Sequence, residues 1–142
     1  MTLVEAAKAV GVALAVLALN LLLTTGMIFI YAKLIAPGRS DAFYQAAAPH
    51  IAAWSAPVGG GLLMFAAMSW LGRRRAVRQA YAFAAALWIG YLVFDAGSGA
   101  AMGGVRDLVS WQMAVSMFTA LSGALAGVAL SRAGTPRQDT PT

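Results

Sequence analysis

Few side chains in this chain could carry chemistry. It has one histidine (His50), no cysteine, and five acidic residues among 142. His50 follows Pro49 and opens a long apolar run, and Asp41, Asp95 and the pair Arg106–Asp107 fall on its side of the hydrophobic segments. A histidine beside carboxylates could relay a proton or act as a general base. The simpler expectation places His50 at headgroup level where a helix starts, satisfied by water and lipid phosphate. A single histidine and scattered acids without a repeated spacing make a poor metal site. The lack of cysteine removes disulfides, thiolate zinc, iron–sulfur clusters and thiol catalysis. Neither a metal nor any other cofactor is expected. Glycines around Gly97 and Gly103 lack the strand–turn–helix context of a dinucleotide fingerprint, and no other catalytic or nucleic-acid motif stands out, so no catalytic residue is assigned.

Neutral polar residues inside apolar runs are more informative, because lipid offers them no partner. Asn20, Thr24, Met27 and Tyr31 are spaced 4, 3 and 4, which puts them on one face of a helix. Gln112, Ser116, Thr119 and Gly123 repeat the spacing in the last apolar run. With the two helices antiparallel, Tyr31 would lie opposite Gln112, Thr24 opposite Thr119, and Asn20 against the backbone at Gly123. The pattern predicts a polar seam between the first and fourth helices. Such a seam either fixes packing, at about 0.6 and at most about 2 kcal/mol per interhelical hydrogen bond, or lines a hydrophilic path. In the third helix, Tyr81, Trp88, Tyr91 and Asp95 share an arc. They read as packing with Asp95 capping the outer helix end, or as the wall of a ligand pocket.

Small residues form a second pattern. Thr119, Gly123, Gly127 and Ser131 recur every four positions, as do Ala82, Ala86 and Gly90, and Ala53, Pro57 and Gly61. Faces of this kind let helix backbones approach closely in lipid. Gly61, Ala86, Gly90, Gly123 and Gly127 are therefore expected at helix contacts, within the chain or with another copy. Pro57 followed by Gly59-Gly60-Gly61 marks a kink, or a break that lines a site.

The elements that must position these residues follow from composition. Hydrophobic residues make up 61% of the chain and charged residues 11%, and mean hydropathy is +0.74. So few charges cannot cover a water-facing surface, since soluble domains carry about 25%. A membrane helix needs about 20 apolar residues. Four such spans fit, at about 9–35, 51–71, 77–96 and 108–131. "RSDAFYQAAAPH" reads as a short interfacial helix between the first two, ended by Pro49, and 132–142 as a disordered polar tail. The expected fold is all-α: a single-domain, four-helix integral membrane bundle.

Orientation follows from the basic residues. With both termini on one side, Lys8, Arg73, Arg74, Arg75, Arg78, Arg132 and Arg137 share it, against Lys33, Arg39 and Arg106 opposite. Seven against three places both termini in the cytoplasm, in a bacterial-type cytoplasmic membrane. The net charge of +5 thus reflects topology rather than nucleic-acid binding. The expected partners are the lipid bilayer and either a second copy or another membrane protein. Three functions are weighed: first a non-enzymatic accessory subunit, then a small transporter or channel using the polar seam, and last a membrane enzyme using the outer His50, Asp95 and Asp107 group. The subunit is favoured while no span contains a buried charge.

Overall fold

Thr2 and Glu5 start the first helix. The Glu5 amide donates to Thr2 Oγ1 (3.3 Å), and the Thr2 amide donates to Glu5 Oε2 (3.2 Å), closing a reciprocal cap. The computed structural model describes residues 2–103 and 110–133, and every regular element among them is helical. Helix α1 spans Leu3–Ile30 and widens into a π-turn over Tyr31–Ile35. Gly38, at φ +74°, then turns the chain. Tyr44 clasps this turn: its hydroxyl donates to the Ala36 carbonyl (2.7 Å) and accepts from the Arg39 amide (3.1 Å).

Helix α2 spans Asp41–Leu71 without interruption, with Pro49 and Pro57 both inside it. The separate interfacial helix expected up to Pro49 is therefore absent, and its residues form the first turns of α2. Proline's fixed φ is helical, so its main cost is one missing amide and one crowded carbonyl. At Pro49 that carbonyl belongs to Gln45, an exposed residue near the helix start that solvent can serve. At 1.5 Å per residue, α2 is about 46 Å long, and its first turns extend beyond a hydrocarbon core of about 30 Å.

A 3₁₀ turn, Gly72–Arg74, leads into α3, which spans Val77–Gly103 and outruns the expected end near residue 96 by two turns. Helix α4 spans Trp111–Ala133. Arg132, read from sequence as part of the tail, is instead helical. Its guanidinium donates to the carbonyls of Arg75 (2.6 Å) and Gly72 (3.3 Å), tying the end of α4 to the α2–α3 turn. Arg106, Asp107, the expected start of the fourth span at 108 and the rest of the tail fall outside the described residues.

All four helices are long and apolar enough to cross a membrane, which makes this a membrane protein. Their outward faces carry Leu22, Phe29, Ile89 and Phe118, apolar side chains suited to a lipid or protein neighbour rather than to water. Around the bundle the helices follow the order α1, α2, α4, α3, with α1 and α4 on one diagonal and α2 and α3 on the other. The most extensive interface joins α2 to α4. Its closeness depends on glycine: a Cβ on Gly123 would collide with the Gly61 carbonyl oxygen, and one on Gly127 would sit 2.5 Å from the Phe65 carbonyl oxygen. Between the four helices, Ala9, Met64, Met68, Phe83, Leu87 and Val128 fill the half of the bundle nearer the termini.

Candidate functional site

Asn20 sits halfway along the apolar run of α1, 4% exposed, facing α2 and α3. Its Nδ2 donates to the Ala56 carbonyl (3.1 Å) and to the Tyr91 hydroxyl (3.0 Å). Glycines make room for both partners. An added Cβ would lie 2.5 Å from Asn20 Oδ1 if built on Gly59, and 2.9 Å from the Tyr91 hydroxyl if built on Gly60. Asn20 Oδ1 is buried and has no partner within the protein.

Tyr91, 2% exposed, passes the polar line to α4, where Ser116 faces both its hydroxyl and the Asp95 carboxyl. Asn20 donates to the Tyr91 oxygen, and Ser116 and the Asp95 carboxyl lie next along this polar line. That carboxylate does not cap a helix end, as the sequence had suggested. Residues 96–103 continue as helix, so Asp95 lies two turns inside α3, half-buried against the bundle.

Beside Asp95 a cavity of about 260 Å³ opens between α2, α3 and α4. Helix α2 lines it with Ala52, Ala53, Ala56 and Pro57. Helix α3 contributes Asp95 and Ser98. From the α4 side come Ser110, Gln112, Met113 and Ser116. None of these lining residues is cationic. Pro57 has no amide to offer the Ala53 carbonyl four residues earlier. The next carbonyls are engaged by other helices: Ala56 by Asn20, and Pro57 by Thr119 Oγ1 (3.0 Å). Trp88 Nε1 donates to the Met117 carbonyl (3.1 Å), tying α3 to α4 one turn below Tyr91.

The seam expected between α1 and α4 does not form, because these helices are diagonal and α2 lies beside both. Asn20 meets Gly59, Gly60 and Tyr91 instead of Gly123, and Gly123 backs onto Gly61. Thr119 bonds to Pro57 instead of Thr24, whose buried hydroxyl has no partner in the protein. Tyr31 is not opposite Gln112; it lines a surface groove with Phe43, His50 and Trp54. His50 is exposed there and is not among the residues lining the Asp95 cavity. No group of three or more potential metal-binding side chains forms among the described residues. Tyr81 departs from the aromatic arc and is exposed, while Tyr91 is buried.

Sequence reasoning singled out Asn20, Tyr91, Asp95, Gln112 and Ser116, but it did not join them. It missed Ser98 and the alanine wall at 52–56. A proline four residues after Ala53 was the available signal, since it withholds the amide that the Ala53 carbonyl would otherwise take. No protein-family model matches the chain, and no curated protein or solved structure does either.

Proposed function

We propose that the protein is a small membrane transporter or channel of non-enzymatic type, which admits a small polar solute to the cavity beside Asp95. The observation that carries this reading is a half-buried carboxylate near the outer end of the third apolar span, lining a cavity with Ser116, with the Asn20–Tyr91 bond deeper in the bundle. Ionisable groups at such positions mark solute or ion pathways, because lipid makes them costly to keep otherwise. The cavity is a vestibule. Below Tyr91 the packing of Met64, Met68, Phe83 and Leu87 closes the way, so passage requires the helices to move. Pro57 and the three glycines after it supply a place for α2 to bend. On the positive-inside rule the end bearing Lys8, Arg73–Arg75, Arg78 and Arg132 is cytoplasmic, and the vestibule opens to the other side.

The lack of cysteine makes the test direct. In intact vesicles, Ser98→Cys and Ser116→Cys should react with a membrane-impermeant thiol reagent from the vestibule side, and modification should block solute uptake. Met64→Cys should stay unreactive. A Ser116→Cys that reacts from neither side would defeat the reading.

A second reading, the accessory subunit, draws support from α1. Around Gly11 and Gly26 nothing lies within 4 Å of where a side chain would start, so two close-approach positions are left open by the chain's own helices. Native mass spectrometry of the protein taken in lipid nanodiscs from its own membrane tests it. A second polypeptide at fixed stoichiometry supports the subunit; the chain alone leaves transport.

A further inference from the structure

The chemistry of the vestibule wall selects among solutes. Its polar side chains are the Asp95 carboxylate, the hydroxyls of Ser98, Ser110 and Ser116 and the Gln112 carboxamide, and the carboxylate is the one charged group among these lining residues; Ala53, whose carbonyl gets no amide from Pro57, lies beside them. Among the described residues no lysine, arginine or histidine neutralises Asp95, whose polar neighbour is Ser116. A half-buried carboxylate with no cation beside it among the described residues is a place where a ligand's cation would be stabilised. Opposite these groups the wall is apolar, made by Ala52, Ala56 and Met113.

Size and ligand count decide the kind of cation. A metal ion would call for several carboxylate or imidazole ligands, and none of the described residues gather into such a group. At about 260 Å³ the space far exceeds a bare ion, yet lies below the roughly 300–1,000 Å³ of drug-sized sites. An ammonium group with a short hydrocarbon tail fits both halves. Its N–H donors meet the carboxylate and carbonyl, while its tail covers the alanines and Met113.

We propose that the vestibule binds a small monocationic organic amine, held at its ammonium by Asp95 and at its tail by the α2 alanine wall and Met113. This rests on the vestibule being a solute site, and it names the class of solute. Asp95 touches the ligand, and Ser116 orients the carboxylate from the protein side.

The probes are n-butylammonium, n-butanol and butyrate, titrated calorimetrically into the full chain in lipid nanodiscs. Butylammonium should bind at least about tenfold more tightly than butanol or butyrate. Asp95→Asn should remove that preference without lowering the melting temperature, and Asp95→Glu should keep it. Met113→Trp, which fills the apolar half, should weaken butylammonium by a similar factor. If butanol or butyrate binds as well as butylammonium, or Asp95→Asn binds it unchanged, the cation assignment is overturned and the vestibule remains a site for another solute. If none of the three binds and Ser116→Cys is also unreactive, both readings fall.

Discussion

At the scale of single residues, the Asn20–Tyr91 contact is the central polar interaction of the bundle. In lipid such a bond is worth about 0.6 kcal/mol, because the unfolded helices also find partners. A double-mutant cycle of Asn20→Ala and Tyr91→Phe, read by unfolding in mixed micelles, should therefore give a coupling of about 0.6 kcal/mol and below about 2. Gly59→Ala should cost more than Asn20→Ala. It forces a methyl against Asn20 Oδ1, whereas Asn20→Ala removes two bonds together with an unpartnered oxygen. Asn20 was legible in the sequence because a carboxamide in mid-span needs a partner. The partner's identity was not, since Tyr91 lies 71 residues away and a spacing rule sees only one helix at a time.

At the scale of elements, the α2–α4 interface is held by glycines at its closest points. Gly123→Ala should drive the backbones apart and destabilise the protein by about 1–3 kcal/mol, measured in the same unfolding assay. Pro57→Ala acts the other way. It returns an amide to the Ala53 carbonyl, so the melting temperature should rise while butylammonium affinity falls. The four helices were legible from hydropathy and length alone. Their ends were not. Pro49 was read as a stop, but its lost bond falls on an exposed turn and costs little. The third span was expected to end near 96, though nothing in the Gly- and Ala-rich stretch that follows forbids helix, and its continuing as helix moved Asp95 from the end of a helix to its interior.

At the scale of the whole molecule, the order of helices around the bundle decided which polar residues meet. Two matching stripes on α1 and α4 suggested a shared face, and periodicity gives no means of telling neighbours from diagonals. The deciding property was surface relief: glycines at 59–61 of α2 accept Asn20 and Tyr91 from one side and Gly123 from the other. Orientation is open to a direct check. Single cysteines at Arg74 and at Gln45 should be labelled from opposite sides of a vesicle. Labelling from the same side would break the four-span topology.

That order also bears on how the protein is made. α2 and α4 run in the same direction, so no short turn can join them, and α3 must cross back before α4 can arrive. The most extensive interface among the four helices can therefore close only after α3 has crossed back, and until then the glycine face of α2 lacks its α4 partner. During synthesis the bundle is an incomplete ring of three helices, and Asp95 faces a gap on the side that α4 will occupy. Only when Arg132 fastens α4 to the α2–α3 turn is that gap closed.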